Sequence, residues 1–160
     1  MPEGKVYFFP QSDLLPYEVY ARNVEISAQR MTVLTKLARR EPVVVVATID
    51  ALTKKIVPPN IIRKYSLNLS TGQRMDIQVL AGSLVSMGYT KEDLVEVPGT
   101  FSVRGGIIDI FSLTENRPLR IEFFDDEIES IRYFDAGTQR SLEETGQTFL
   151  SPADEYPADQ

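Results

Sequence analysis

The sequence predicts an α/β fold of the α+β kind, in which a short β-α-β-α unit precedes a helix packed on a largely antiparallel sheet. Two observations support this. Residues 1–60 alternate short apolar runs with helical periodicity, whereas Leu94 to Phe134 show strand patterns joined by tight turns. With 160 residues, 42% of them hydrophobic, the chain can bury a core in one or two compact units.

The first unit begins with a strand and a long helix. Val6–Phe9 predicts a short strand that Pro10 ends, and Gln11–Glu18, interrupted by Pro16, predicts a loop. From about Glu25 to Arg40 the apolar residues recur with helical spacing, which is typical of an amphipathic helix. Its apolar face is expected to contain Ile26, Val33, Leu34, Leu37 and Ala38. Its basic residues are expected to point mostly outward: Arg30, Lys36, Arg39 and Arg40.

A second strand and a second helix complete this unit. Val43–Ala47 is rich in β-branched residues and predicts a strand buried on both faces. Thr48 is a candidate N-cap for a short helix carrying Ile49, Leu52 and Ile56, which Pro58-Pro59 would end. The resulting β-α-β-α order is the one that a parallel sheet with helices on its faces requires.

A different pattern follows Pro58-Pro59-Asn60. Residues 65–69 alternate between apolar and polar and predict a half-exposed strand, after which Gly72 turns the chain. A helix is predicted from about Asp76 to Met87, with Asp76 as N-cap and Gly88 just beyond its end. Its apolar face would contain Ile77, Leu80, Ala81, Leu84 and Val85.

We therefore divide the chain into a partial α/β domain at residues 1–60, a second domain at 61–148 and a return segment or linker at 149–160. The tail Ser151–Gln160 contains two prolines and three acidic residues, which favours a loop or a linker that leaves the domain.

Composition excludes several classes of function. The 23 acidic residues outnumber the 17 basic ones, so the chain lacks the overall charge expected of a domain that grips nucleic acid by itself. With no His and no Cys, imidazole-dependent triads, zinc sites of the usual kinds and disulfides are excluded. The sequence has neither a secretion-signal pattern nor a run of about 20 apolar residues, so we expect a soluble, cytoplasmic protein.

The glycine-rich and acidic segments offer little support for an enzyme. No G-x-x-x-x-G-K-[ST] spacing occurs, so a P-loop is excluded. Gly105-Gly106 is not followed by a helix pattern, which favours a bulge or sharp bend between strand halves over a phosphate cradle. Asp125-Asp126-Glu127 could hold Mg²⁺ in principle, but three acids between two strand patterns favour a solvated hairpin turn.

Strand alternation predicts an outward-facing group of three residues. In Leu119–Phe124 the even-numbered residues share one face, so Arg120 and Phe124 point outward if Leu119 faces the helix. Arg104 joins the same face if its strand is a near neighbour. Arginines around an exposed phenylalanine are typical of protein interfaces. The alternative is that both arginines merely form cross-strand ion pairs, for which the candidate partners are Asp109, Glu122 and Glu129.

Three segments carry a family resemblance: Phe101–Phe111 (FSVRGGIIDIF), Arg120–Ile128 (RIEFFDDEI) and Phe134–Leu142 (FDAGTQRSL). They resemble the UvrB-homology region of the bacterial transcription-repair coupling factor (Mfd) family. A looser similarity extends over Val6–Pro59, which contains FPQSDLLPYE. UvrB itself shares the module, but its long tyrosine-rich, DNA-engaging segment is not evident here. The chain is therefore similar to an N-terminal fragment of the coupling factor.

The resemblance implies a fold and a role. It implies an incomplete, degenerate helicase-like α/β domain into which a UvrB-type interaction domain is inserted. It also implies recruitment of UvrA, the damage-recognition ATPase, to stalled RNA polymerase during nucleotide excision repair. The residues at the family's UvrA-contact positions are Arg104, Arg120 and Phe124.

The resemblance further implies that these 160 residues are not themselves an enzyme. In the parent protein an ATP- and Mg²⁺-dependent motor and further modules engage DNA and RNA polymerase, so we expect no cofactor here and a monomeric chain. Two alternatives remain: a UvrB-like excision-repair fragment, or a weak nucleic-acid-binding module. The latter would use the basic residues of the first long helix, which are Arg22, Arg30, Lys36, Arg39 and Arg40.

Overall fold

The computed structural model describes residues 6–11 and 20–155, with side chains in the second range described from residue 24 onward. The helices in this part of the chain are α1 (Tyr20–Ala38), α2 (Ile49–Thr53), α3 (Pro59–Lys64) and α4 (Ile77–Ser86). The strands of the first half are β1 (Val6–Phe9), β2 (Val44–Ala47), β3 (Leu67–Ser70) and β4 (Thr90–Lys91). The remaining strands are β5 (Thr100–Arg104), β6 (Ile107–Phe111), β7 (Leu119–Phe124), β8 (Glu127–Phe134), β9 (Ser141–Glu144) and β10 (Gln147–Leu150). The predicted α+β class is confirmed.

Strands β1 and β2 form a two-stranded parallel sheet, as the β-α-β-α order predicts, with Val6 opposite Val44 and Phe9 opposite Ala47. The prediction that the second strand is buried on both faces is wrong, because Val44 and Val46 are exposed. Alternate residues of this sheet pack against α1, and no described element covers the other face. The loop predicted at Gln11–Glu18 lies almost entirely outside the described residues.

Helix α1 packs on β1 and α3, and this contact fixes which of its faces is buried. Met31, Val33, Leu34 and Ala38 are buried as part of one cluster with Phe9. Two predictions about this helix are wrong, because Arg30 is buried and Leu37 is exposed. Arg30 turns inward because its guanidinium lies over the ring of Phe9 and is hydrogen-bonded there. Periodicity alone could not identify that partner.

The short helices differ from the prediction. Thr48 is the N-cap of α2 as expected, with its Oγ1 accepting a hydrogen bond from the amide of Ala51 at 3.2 Å. Helix α2 ends at Thr53, however, and Ile49 and Leu52 are exposed. Pro59 does not end a helix but begins α3, because proline has the backbone angle that the first helical position needs and no amide to leave unpaired there.

The second half is built around a six-stranded mixed sheet in the order β4-β5-β6-β7-β8-β9. Only the β4–β5 pair is parallel among the pairs of this sheet. Leu80 and Leu84 of α4 pack on one face of it, which we call the inner face, in the main hydrophobic cluster. The predicted caps of α4 are confirmed, since Asp76 accepts a hydrogen bond from the amide of Gln78 and Gly88, at φ +90°, follows the C-cap. Val85, predicted on the apolar face, is exposed.

The end of the described chain returns to the body of the molecule. Strand β10 pairs antiparallel with β3, with Leu150 opposite Leu67, so the predicted domain end at residue 148 falls inside a strand. Beyond it the amide of Ala153 donates to the carbonyl of Met87 at 2.9 Å, and the hydroxyl of Tyr89 donates to the carbonyl of Ser151 at 2.8 Å. A linker would leave the domain, whereas residues 151–155 stay packed against it.

Within the described ranges no helix is both long and apolar enough to cross a membrane.

Candidate partner-binding face

The face of the six-stranded sheet that points away from α4, which we call the outer face, contains the residues predicted to bind a partner. Leu119 and Ile121 lie in the main hydrophobic cluster on the inner face, so Arg120 lies on the outer one. The pairing register between β7 and β8 shifts between Glu122 and Phe123, where β8 contains one extra residue. The side chains of β7 still alternate between the two faces across this shift. Phe124 is consequently 75% exposed.

Two tight hairpins bring these strands together. Arg104 pairs with Ile107, which leaves Gly105-Gly106 as a two-residue turn between β5 and β6. Phe124 pairs with Glu127, which leaves Asp125-Asp126 as the matching turn between β7 and β8. The glycine pair therefore makes a sharp bend, as predicted, and it separates two full strands. Strands β5 and β7 both pair antiparallel with β6, so they run in the same direction. The turn that follows β5 and the turn that follows β7 therefore lie at the same end of the sheet.

The aspartates occupy the predicted hairpin turn. Asp125 has a φ of +55°, a conformation that Asp adopts more readily than most residues. In the described part of the chain no group of three or more acidic side chains is placed to hold a metal ion. The structure thus provides no support for the magnesium alternative at Asp125-Asp126-Glu127.

Arg104 and Arg120 meet at one carboxylate, that of Asp109 on β6. Arg120 donates from Nε to Oδ1 at 2.7 Å and from Nη2 to Oδ2 at 2.9 Å, and Arg104 donates from Nη2 to Oδ2. The register explains this meeting, because Asp109 lies directly opposite Arg120 on one side and Ser102 on the other. The two arginines therefore share one face, as predicted for strands that are near neighbours. Of the three candidate partners, Asp109 is the one with which both arginines pair.

The two arginines differ in exposure. The Arg104 side chain is 47% exposed, whereas that of Arg120 is 13% exposed. Arg120 is covered because its guanidinium lies 4.7 Å from the ring centre of Phe134 and its Nη1 donates to the carbonyl of Gln139 at 3.2 Å. Hydrogen bonding to Asp109 raises the pKa of Arg120 above its ordinary value, so this side chain stays charged. The expectation that both arginines are openly exposed is correct for Arg104 only.

A second group of polar side chains lies beside this one. The hydroxyl of Ser130 donates to Glu122 at 2.6 Å, and Arg132 approaches the same carboxylate at 3.4 Å. Among the described residues, Ser102 Oγ and Arg132 Nε are buried and have no hydrogen-bond partner. Sequence reasoning missed Arg132, although its alternation with Ile131 could have placed it on the outer face.

The opposite end of the outer face is closed by a small hydrophobic cluster of Val95, Phe111 and Phe134. Gln139 closes it further by donating from Nε2 to the carbonyls of Val95 and Ala136. The sequence gives no direct signal for this cover, because most of the other apolar residues on the strands of Phe111 and Phe134 face inward. The accessible part of the outer face is therefore the end with the two hairpin turns, where Arg104 and Phe124 lie.

Comparison with known proteins identifies related chains. Residues 67–156 match the family model described as the UvrB interaction domain. The chain is 36% identical over 155 residues to the transcription-repair-coupling factor of Bacillus subtilis (strain 168), covering 97% of this chain and 13% of that protein. It is 35% identical over 154 residues to the protein of the same name in Staphylococcus epidermidis, covering 96% of this chain and 13% of that protein. A Staphylococcus aureus (strain USA300) relative of that name is 35% identical over 152 residues, covering 95% of this chain and 13% of that protein. The chain thus spans about one eighth of the length of these relatives.

Proposed function

Because the chain belongs to the UvrB interaction domain family, we propose that it binds UvrA through the hairpin end of the outer face and recruits UvrA in transcription-coupled nucleotide excision repair. The relatives are named transcription-repair-coupling factors, which supports this setting. In this proposal the contact residues are Arg104, Arg120 and Phe124. RNA polymerase, DNA and ATP would be bound by other parts of the longer protein, and this chain would supply no catalytic step.

The observation that supports the proposal most strongly is the exposure of Phe124. A phenylalanine that is 75% exposed, on a strand whose neighbouring apolar side chains are buried or half-buried, gains little stability for the free chain. Arg104, on the same face, is half exposed and charged. Aromatic and arginine side chains are the types that most often dominate binding energy at protein interfaces.

The test is a pull-down with purified UvrA, followed by titration of the Arg104→Ala, Arg120→Ala and Phe124→Ala variants. Each substitution is expected to weaken binding by at least about 1–2 kcal/mol. The circular dichroism spectrum should be unchanged for Arg104→Ala and Phe124→Ala, whereas Arg120→Ala also removes two hydrogen bonds from the buried Asp109 and should lower stability. Arg39→Ala is a matched control, because the Arg39 side chain is 49% exposed and also pairs with a carboxylate, that of Glu41. Unchanged affinity in all three variants would refute the proposal.

Nucleic-acid binding by α1 has less support. Arg30 is buried, and Lys36 and Arg39 both pair with Glu41, at 3.0 Å and 3.3 Å. These pairs reduce the positive charge that the helix presents to a phosphate backbone. DNA affinity of the chain that falls steeply with added salt would favour this second role.

A further inference from the structure

The outer face contains one fully buried carboxylate. The side chain of Asp109 is 0% exposed, and both of its oxygens accept hydrogen bonds from arginines. A buried carboxylate is tolerated only when it is paired and hydrogen-bonded in this way. The group of Arg104, Asp109 and Arg120, which we call the arginine-aspartate group, contains two positive charges and one negative charge.

The two arginines use their donors differently. Arg120 is engaged at Nε, Nη1 and Nη2, so its planar group is fixed in place by the sheet. Among the described residues, Arg104 is hydrogen-bonded through Nη2 alone, and its side chain is 47% exposed. Arg104 therefore has further donors, on Nε and Nη1, that make no hydrogen bond to a described residue. A guanidinium edge of this kind matches the two oxygens of a carboxylate.

We propose that Asp109 is a positioning residue, which holds Arg104 so that its remaining donors bind a carboxylate of the partner. This inference rests on the proposed function, since it concerns the same face and the same partner. Asp109 would not touch the partner, because its side chain is buried beneath the two arginines. Its effect would come from fixing Arg104 before binding, which lowers the entropy lost when the complex forms.

The substitution Asp109→Asn separates positioning from simple charge attraction. Asn has nearly the same shape but removes the negative charge, so the arginine-aspartate group gains net positive charge. If only the positive field of this face attracted an acidic partner, that change would strengthen binding. If Asp109 positions Arg104, the same change weakens binding, because an amide oxygen holds a guanidinium less firmly and the amide nitrogen cannot accept. The two explanations predict opposite signs.

The experiment measures the affinity of purified UvrA for the wild-type chain, for Asp109→Asn, for Arg104→Ala and for the double variant. We expect Asp109→Asn to weaken binding about tenfold or more. Arg104→Ala should then add little in the Asp109→Asn background, because Asp109 acts through Arg104. Glu143→Gln is a control that removes the same charge at a different place. Glu143 pairs with Arg117, and Arg117 lies over the ring of Tyr133. Tyr133 packs against the main cluster on the inner face, away from the arginine-aspartate group. The affinity of Glu143→Gln should be unchanged.

A measurement on the wild-type chain tests the proposal even if Asp109→Asn does not fold. Side-chain ¹⁵N relaxation at Arg104 Nε should show order close to that of the backbone, with an order parameter of about 0.8, whereas a mobile side chain falls below about 0.6. A mobile Arg104, or unchanged or tighter binding by folded Asp109→Asn, overturns the positioning role while leaving UvrA recruitment intact. Failure of the wild-type chain to bind UvrA instead overturns the proposed function.

Discussion

Arg30 and Glu155, separated by 125 positions in the chain, form a two-point ion pair that joins α1 to the end of the described chain. Nη2 of Arg30 donates to Oε2 of Glu155 at 2.9 Å, and Nε donates to Oε1. The side chains are 3% and 13% exposed. Arg30 also donates to the carbonyl of Pro10 at 2.7 Å, so one guanidinium ties β1, α1 and the returning segment together.

Removing the carboxylate of this pair should destabilise the fold. Glu155→Gln leaves a nearly buried guanidinium without its counter-charge, which costs about 3 kcal/mol in pairs of this kind. Urea unfolding followed by circular dichroism measures the loss. Glu41→Gln serves as control, because Glu41 is one-third exposed and exposed pairs contribute less than about 1 kcal/mol. Equal losses for the two variants would mean that burial does not determine the strength of these pairs.

Neighbouring phenylalanines on β7 should separate stability from binding. Phe124→Ala should change the free energy of unfolding by less than about 0.5 kcal/mol, because the ring is largely in solvent. Phe123→Ala should cost about 2–3 kcal/mol of stability, because that ring packs against the main hydrophobic cluster. Thermal unfolding of the two variants provides the comparison. A large stability loss for Phe124→Ala would contradict the alternation on which the binding face depends.

Two glycines with similar backbone angles should differ in their response to alanine. Gly88 and Gly72 have φ values of +90° and +82°, so alanine is strained at either position, by about 1–2 kcal/mol. At Gly88 the added Cβ would also lie 2.8 Å from Cβ of Asp154, whereas at Gly72 it would meet open space. Gly88→Ala should therefore lower the melting temperature more than Gly72→Ala does. Equal shifts would indicate that residues 151–155 move aside at little cost.

The carboxyl of Glu115 should make stability depend on pH. Burial raises the pKa of Glu115 in the folded chain, and Arg117 and Lys36 only partly offset this. The unfolded chain therefore loses this proton first as pH rises above about 4, so ionisation of Glu115 lowers stability toward neutral pH. Glu115→Gln should be more stable than the wild type at pH 7 and equally stable at pH 3, as chemical denaturation at the two pH values would measure.

The carboxyl of Glu143 should make stability depend on pH in the opposite direction, in the same experiment. Its hydrogen bond with Arg117 lowers the pKa of Glu143, so its stabilising effect is present at neutral pH and is lost as pH falls. Glu143→Gln should therefore reduce stability at pH 7 and have no effect at pH 3. The same direction of change for both variants at pH 7 would contradict the assignment of these shifts to burial and to pairing.

Local patterns in the sequence were enough to predict the features that depend on near neighbours. The Thr48 and Asp76 caps, the strand at Val6–Phe9 and the turn at Asp125-Asp126 were all predicted, because each depends on residues within a few positions. The shared face of Arg104 and Arg120 was predicted on the condition that their strands are near neighbours. Alternation fixes the side-chain direction within each strand, and the pairing of both strands with β6 meets that condition.

Tertiary structure decided what covers each side chain. Arg30 and Arg120 both occupy positions that sequence periodicity assigns to solvent, yet each is covered by groups distant in the chain: Phe9 and Glu155 for Arg30, Phe134 and Gln139 for Arg120. Periodicity determines the direction in which a side chain leaves its own helix or strand. Exposure and hydrogen bonding depend also on which remote segments arrive in that direction, and only packing of the whole chain determines that.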